Sequence, residues 1–174
     1  MKKNLVVAAA LAVLAMAFTA SAQKSPADFS GKWNLDLAKS ELGQQAAMIK
    51  SQTLTITQAG TSFKVSTATE RNAPPDGGAG GRPAGGGGFG GGGDQSYTLD
   101  GKEVSTERQT QNGSITIKTK AEQTGNKVVI TTVSPGPNGD MKSTSTYDLG
   151  ADGKSLTVTR ESSRGTTKSV YVKG

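Results

Sequence analysis

Most of this chain alternates between apolar and hydroxylated residues in short segments, and this pattern is the strongest constraint on its fold. Between Gln52 and Gln58, for example, Leu54 and Ile56 alternate with three threonines. A period of two residues places the apolar side chains on one face of a β-strand and the threonines on the other, as in a half-buried strand beside water. We predict ten such strands, at residues 30–36, 52–58, 62–70, 95–99, 102–109, 114–122, 127–133, 142–149, 155–161 and 168–172.

Short turn signals separate most of these segments. Asp100-Gly101 and Asn112-Gly113 have the residue types of two-residue hairpin turns, in which positive backbone φ angles favour glycine and asparagine or aspartate. Residues 37–50 are polar and irregular, with at most one helical turn around residues 44–48. Because consecutive strands usually pair with their neighbours, we predict an antiparallel up-and-down meander.

A long meander has two exposed edges unless it closes on itself, and closure into a barrel removes both of them. We therefore predict an all-β fold, a barrel or half-barrel of eight to ten strands with its apolar face inward. A membrane-spanning barrel needs apolar residues outward and girdles of aromatic residues. Aromatic residues make up only 5% of this chain, and the second strand face is too polar for lipid.

The first residues have the pattern of a secretory signal peptide. Lys2 and Lys3 precede an apolar run from Leu5 to Phe18, and Ala20-Ser21-Ala22 supplies the small residues of a cleavage site. The run is shorter than the about 20 apolar residues that cross a bilayer. We therefore expect a signal peptide at 1–22, a single domain at 23–174, a periplasmic or secreted location and no stable membrane insertion. The chain has no cysteine to carry a lipid anchor.

Glycine dominates one internal segment. Residues 77–93 hold twelve of the 24 glycines of the chain. Such a composition cannot bury enough apolar surface to offset the entropy of ordering its backbone. We predict a disordered loop between two strands at residues 72–94, acting as a flexible spacer. The segment lacks the Gly-Lys-Ser/Thr ending and the helix of a phosphate-binding loop.

The composition argues against several function classes. The chain contains no histidine and no cysteine, so a Ser-His-Asp triad, a thiol nucleophile and a His/Cys metal site are excluded. The formal net charge is +6, but lysine and arginine are scattered singly, and this pattern does not indicate nucleic-acid binding. We expect no enzyme activity, no metal and no cofactor. A carboxylate-based enzyme would need a spaced pair of acidic residues, and no such pair stands out in the sequence.

The motif Phe29-Ser30-Gly31-Lys32-Trp33 resembles the opening of the lipocalin and calycin superfamily, in which the first strand carries Gly-x-Trp. Residues 29–40 also look like uncharacterised secreted bacterial lipocalin-like proteins. The resemblance implies that Gly31 and Trp33 close one end of a lipocalin-like barrel and that a basic residue of a late strand packs on the tryptophan. Arg160 best fits that position.

Four residues are candidates for ligand contact. Phe63, Tyr97 and Tyr147 either line a cavity or fill the barrel interior, since small barrels can be packed solid. Arg108 and Arg160 share strand faces with apolar residues, so either could clamp an anion with its guanidinium. For Arg108 we favour the alternative that it lies at a strand end and extends its charge into water. For Arg160 we favour the position that packs on the tryptophan ring.

Two functions from different classes fit these observations. The first is a non-enzymatic exported binding protein that holds a small apolar or amphipathic molecule in its barrel, since an apolar interior is a natural pocket. The second is an interaction module with a solid core that binds a protein partner through its polar strand faces and the glycine-rich loop. A co-purifying small molecule would distinguish them.

Overall fold

A computed structural model describes residues 26–72, 93–110, 113–136 and 139–174. The described residues form ten β-strands and two short 3₁₀ helices, Leu37–Lys39 and Gly43–Met48. The strands are β1 (Gly31–Leu35), β2 (Ile49–Ala59), β3 (Ser62–Arg71), β4 (Asp94–Thr98), β5 (Asp100–Thr110), β6 (Gly113–Thr124), β7 (Lys127–Gly136), β8 (Gly139–Leu149), β9 (Ser155–Ser162) and β10 (Gly165–Lys173). Each predicted strand is present. The predicted signal peptide lies outside the described residues, as do residues 73–92 of the predicted glycine-rich loop.

The ten strands form one antiparallel sheet in the order β4-β3-β2-β1-β10-β9-β8-β7-β6-β5. Neighbours along the chain are neighbours in the sheet except β4 and β5, which are its two edges. The first strand pairs with the last, with Trp33 opposite Lys173. This long-range pairing curls the meander into a nearly closed barrel, as predicted, with one opening between β4 and β5.

The prediction of a tight hairpin at Asp100-Gly101 is wrong. These residues open β5, and the register between β5 and β6 shifts between Asp100 and Glu103. Gly101 has a φ angle of 72°, and the Asp100 carboxylate accepts a hydrogen bond of 3.0 Å from the Lys102 amide. Asp-Gly suits a β-bulge as well as a hairpin, because both need a positive φ angle and a local side-chain hydrogen bond.

The buried core lies at the barrel end where the even-numbered strands finish, which we call the closed end. Its members are Phe29, Trp33, Leu54, Ile56, Phe63, Val65, Leu99, Ala121, Val128, Ile130, Tyr147, Leu149, Leu156, Val158 and Tyr171. Phe29 and Leu99 lie just outside the strands, and the other members occupy alternate positions along theirs, as the period of two predicts. The opposite end, where the odd-numbered strands finish, is the open end.

The segment that precedes β1 crosses the closed end and ties distant strands together. The Ala27 amide donates to the Gly125 carbonyl at 3.0 Å, and Gln123 Nε2 donates to the Ala27 carbonyl at 2.7 Å. Gln58 of β2 accepts from the Phe29 amide at 3.1 Å and donates to Gln123 of β6 at 2.7 Å. These bonds bridge β2 and β6, which are not neighbours in the sheet.

The helices among the described residues are both short. None of them is long and apolar enough to cross a membrane.

Candidate functional site: the interior of the barrel

The inward face of the barrel can be followed from strand to strand, because residues directly opposite each other in an antiparallel pair share a face of the sheet. Starting from buried Tyr147, the partners are Val128 on β7 and Val158 on β9, and Val158 is opposite Ser169 on β10. The inward positions are buried near the closed end, and toward the open end they become half-buried or exposed, except Ser134 of β7, which is buried. We call the half-buried and exposed inward positions above the apolar core the cup, and the apolar core its floor.

The wall of the cup has two sectors of different chemistry. Around most of the circumference the inward residues above the core are half-buried hydroxyl side chains: Thr67, Thr69, Thr132, Ser143, Ser145, Thr167 and Ser169. On β5, β6 and the start of β8 the inward face also carries apolar side chains, Val104, Ile115, Ile117 and Met141, which alternate with Thr106, Arg108 and Thr119. Val104 is 52% exposed and Met141 is 39% exposed, so this apolar sector keeps contact with solvent.

Arg160 is the basic residue of the hydroxyl sector. It lies on β9, with Ser145 of β8 directly opposite on one side and Thr167 of β10 on the other. Directly opposite residues have Cβ atoms roughly 5 Å apart, so a guanidinium is flanked by two hydroxyl-bearing positions. Among the described residues Arg160 forms no salt bridge; the six ion pairs there join other residues.

All three tyrosines of the chain come close enough to Arg160 for its charge to act on them. Burial raises the pKa of Tyr97 to about 12 and that of Tyr171 to about 12, and burial also raises the pKa of Tyr147. The positive charge of Arg160 acts in the opposite direction on each tyrosine, and a side-chain hydrogen bond from Arg160 adds to this at Tyr147. The phenols are thus neutral hydrogen-bonding groups around an interior cation.

Two of these phenols are hydrogen-bonded to glutamine side chains. The Tyr171 hydroxyl donates to Gln52 Oε1 at 2.6 Å, and the Tyr97 hydroxyl donates to Gln95 Oε1 at 2.5 Å. A phenol oxygen that donates in this way keeps lone pairs for other donors. The arrangement therefore combines one guanidinium with fixed phenols and serine and threonine positions, a chemistry suited to an anion with several oxygens.

The structure brings together three of the four predicted ligand-contact residues. The Phe63 ring packs edge-on against Tyr147, with ring centroids 5.5 Å apart, and Phe63 lies opposite Tyr97. Phe63 and Tyr147 are buried in the floor, whereas Tyr97 is half-buried at the border of the cup. Whether they touch a ligand stays a prediction.

Arg108, the fourth residue, lies elsewhere in the interior. It is on the inward side of β5, opposite Ile115, and its side chain is exposed. It is not among the charges that act on the three tyrosines. Whether it contacts a ligand or extends its charge into water stays a prediction.

The tryptophan at the closed end is completely buried, and its indole Nε1 donates to the Phe29 carbonyl at 3.0 Å. The cation that the structure places over the ring is Lys173, whose Nζ lies 5.2 Å from the ring centroid. Gly31, which has a φ angle of 140°, lies beside this lysine, because a Cβ atom there would be 3.1 Å from Lys173 Cε. Arg160, predicted for the tryptophan contact, faces the tyrosines instead.

Sequence reasoning missed Tyr171 and Lys173. Both lie on the last strand, two residues apart and on one face, as an alternating pattern would show. Nothing local indicates that this strand pairs with the first one. That pairing places Tyr171 opposite Leu35 and Lys173 opposite Trp33.

Two depressions lie on the outer surface of the barrel. One, of about 280 Å³, is lined by Lys142, Thr144, Glu161 and Ser162. The other, of about 260 Å³, is lined by β2, β3 and β4 residues that include Lys64 and Asp94. Within the described ranges no cluster of three or more acidic residues could hold a metal ion.

Comparison with known proteins identifies the fold. No family model matches the sequence, and no curated protein matches it. Among solved structures, human cRBP IV has a TM-score of 0.51 at 16% identity, covering 86% of this chain and 100% of that chain. Lipid binding protein 8 of Caenorhabditis elegans has a TM-score of 0.51 at 16% identity, covering 84% and 95%. A protein named REP1-NXSQ fatty acid transporter has a TM-score of 0.50 at 19% identity, covering 84% and 96%.

These neighbours are calycin-superfamily proteins, and the names of two of them describe lipid binding and fatty acid transport. The likeness extends over most of this chain and nearly all of each neighbour. At this level of identity it establishes a shared barrel fold, the one that the Gly31-x-Trp33 motif suggested.

Proposed function

We propose that this protein is a non-enzymatic binding protein that holds a small amphipathic molecule in the cup, with an anionic group of that molecule at Arg160. The observation that carries the proposal is an interior guanidinium, flanked by Ser145 and Thr167, that forms no salt bridge within the described residues. A partly buried charge without a counter-ion is costly. A ligand anion would supply the missing partner.

The two sectors of the wall support an amphipathic ligand. Hydroxyl positions around Arg160 suit the polar part, and the exposed apolar side chains of Val104 and Met141 suit an apolar part. Apolar surface that remains wet in the free protein would be removed from water by such a ligand, which favours binding by roughly 25 cal/mol per Å². The names of the barrel neighbours, which describe lipid and fatty-acid binding, point the same way.

The distribution of acidic groups supports binding rather than catalysis. On β8 and β9, Asp148 and Glu161 pair with Thr157 and Thr144, on the outer face of the sheet. The chain also lacks histidine and cysteine, the side chains that most often act as a general base or nucleophile near neutral pH. The inward-facing phenols with raised pKa values are poor bases at that pH.

We propose in addition that the protein is exported to the periplasm or the cell exterior of a bacterium after cleavage behind Ala22. The supporting pattern is the basic start, the apolar run and Ala20-Ser21-Ala22. Mass spectrometry of protein isolated from its own host should show Gln23 as the first residue. Recovery of the uncleaved chain from the membrane fraction would contradict export as a free protein.

The ligand proposal is tested first with the native protein. Native mass spectrometry of protein purified from its host, followed by lipid extraction, should show a co-purifying small molecule that carries an acidic group. An empty barrel that co-purifies with a protein partner would favour the alternative, an interaction module with a solid core.

A defined probe then tests the role of Arg160. Calorimetric titration with decanoate and with decanol should show that Arg160→Gln weakens decanoate binding at least tenfold, about 1.4 kcal/mol, and leaves decanol unchanged. Arg164→Gln, on the exposed turn between β9 and β10, is the matched control. Equal decanoate affinity for Arg160→Gln and the wild type would refute an anion site at this residue.

A further inference from the structure

Hydroxyl-bearing residues lie beside Arg160 on both neighbouring strands. Ser145 of β8 and Thr167 of β10 are directly opposite it, and all three residues are half-buried. Because neighbouring strands are about 4.8 Å apart, Ser145 and Thr167 lie on opposite sides of the arginine side chain. An anion bound to the guanidinium would therefore have a hydroxyl-bearing residue on each side.

A third hydroxyl group belongs to the floor of the cup. The Tyr147 hydroxyl accepts a hydrogen bond from the Arg160 guanidinium, because a guanidinium can only donate. The hydroxyls of Tyr97 and Tyr171 donate their protons to glutamine side chains. The Tyr147 hydroxyl, in contrast, donates to no residue in the described ranges.

The hydroxyl groups of Ser145, Thr167 and Tyr147 thus share one property. Within the part of the chain that the structure describes, none of them donates a hydrogen bond to another residue. We call these three residues the hydroxyl donors. Together with the N–H groups that the guanidinium keeps free, they offer hydrogen bonds from β8, from β10 and from the floor.

The number and the directions of these donors distinguish between classes of anion. A carboxylate has two oxygens in one plane, and the fork of a guanidinium can bind both of them. A sulfonate or a sulfate ester has three terminal oxygens that point in different directions. When the fork holds two of these, the third remains for the hydroxyl donors, and a hydrogen bond to a charged acceptor is a strong one.

The charge of the site favours an anion with a single negative charge. Of the positive charges in the described ranges, that of Arg160 alone acts on the three tyrosines. One cation can neutralise a monoanion, whereas the second charge of a phosphate monoester would stay unpaired in a half-buried site, which is costly. The site therefore suits sulfonates and sulfate esters better than phosphate esters.

We propose that the molecule bound in the cup is an amphiphile with a sulfonate or sulfate-ester head group, and that Ser145, Thr167 and Tyr147 determine this specificity. The inference rests on the proposed function, because it needs an anionic group at Arg160. Its tests therefore compare different anions with one another.

Two amphiphiles with the same decyl chain test the choice of anion. Calorimetric titration below the concentration of micelle formation should show that decane-1-sulfonate binds roughly tenfold more tightly than undecanoate, the effect of one further hydrogen bond to a charged group. Arg160→Gln should weaken the binding of both. Tighter binding of undecanoate than of decane-1-sulfonate would overturn the inference.

Removing the hydroxyl donors tests how the anion is selected. In the double variant Ser145→Ala/Thr167→Val, decane-1-sulfonate should bind roughly tenfold more weakly, whereas undecanoate should bind nearly as it does to the wild type. Tyr147→Phe is the same test at the floor. Thr159→Val, on the outer face of β9, is the matched control and should not change either affinity. Equal losses for the two ligands in the hydroxyl variants would contradict a role in specificity.

Decyl sulfate and decyl phosphate test the choice of a single charge, because they share a tetrahedral head group. At a pH well above about 6, the second pKa of a phosphate monoester, decyl phosphate is doubly charged and should bind more weakly than decyl sulfate. Inorganic sulfate, which has no apolar part, should compete only weakly. Tighter binding of decyl phosphate would overturn the choice of a monoanion, and tight binding of inorganic sulfate would overturn that of an amphiphile.

The results separate this inference from the proposed function. If undecanoate and decane-1-sulfonate bind with equal affinity and both depend on Arg160, the proposed function stands and the preference for sulfonates is wrong. If neither binds, or if both bind equally well to Arg160→Gln, the anion site itself is wrong. Circular dichroism and the melting temperature of each variant establish that it is folded.

Discussion

Lys173 lies over the ring of Trp33, its Nζ 5.2 Å from the ring centroid, and the two residues are also direct partners where the last strand meets the first. The contact thus sits at the seam that closes the barrel. A cation over an indole face is attracted by the negative potential of the ring. The apolar stem of the lysine at the same time covers the closed end beside Gly31.

Replacing this lysine should weaken the seam. Lys173→Met keeps most of the stem and removes the charge, so we expect a loss of about 0.5–1 kcal/mol in the free energy of unfolding, the value of an exposed cation–π contact. Urea denaturation measures this loss. Lys32→Met, an exposed lysine of β1, is the control, and an equal loss in both variants would show that the ring contact contributes nothing specific.

Removing the tryptophan side chain should have a much larger effect. Trp33 is fully buried and its Nε1 is hydrogen-bonded, so Trp33→Ala should lower the free energy of unfolding by roughly 3–5 kcal/mol. It is the single tryptophan of the chain, so its fluorescence should be blue-shifted and resistant to quenching by iodide. Red-shifted, easily quenched emission would contradict a buried plug.

The tyrosines predict how stability depends on alkaline pH. All three have pKa values raised by burial, to about 12 for Tyr97 and Tyr171, whereas the ordinary value is 10.0. Between pH 10 and 12 the unfolded chain loses protons that the folded chain keeps, so the free energy of unfolding falls as the pH rises. Absorbance at 295 nm should show no phenolate near pH 10 in the folded protein and a midpoint near 10 in urea.

The effect of Arg160 on the pKa values of the tyrosines should be measurable in the same titration. Its charge lowers the pKa of each tyrosine against the effect of burial. Arg160→Met should therefore move the phenol titration of the folded protein to still higher pH, whereas Arg164→Met should not. A downward shift, or none, would place the guanidinium away from the phenols.

The bulge at the start of β5 makes Gly101 sensitive to substitution. Its φ angle of 72° is in the left-handed region, which costs a residue with a Cβ atom roughly 1–2 kcal/mol. Gly101→Ala should lower the free energy of unfolding by that amount, since no atom within 3.4 Å would clash with the new methyl group. Gly93→Ala, at a position with open space, should be neutral in the same denaturation experiment.

The local pattern of the sequence determined the strands and which side chains share a face of each strand, but not every turn between them. Alternation of Leu54 and Ile56 with threonine predicts which side of β2 is buried, because a period of two fixes the face of each side chain whatever the strand pairs with. The hydroxyl-rich stretches predicted half-buried strands, and Trp33 in its Gly-x-Trp setting indicated where the barrel is closed.

Only the tertiary structure decided which strands meet. Asp100-Gly101 has the chemistry of both a hairpin and a bulge, and the choice depends on whether β5 pairs with β4 or with β6. The sequence indicated Arg160 for the contact with the tryptophan, whereas the pairing of β1 with β10 places Lys173 over the ring. The tyrosines of β4, β8 and β10 gather around Arg160 of β9 for the same reason. Alternation specifies a face within one strand, whereas closure of the barrel is a contact between distant residues that no local pattern records.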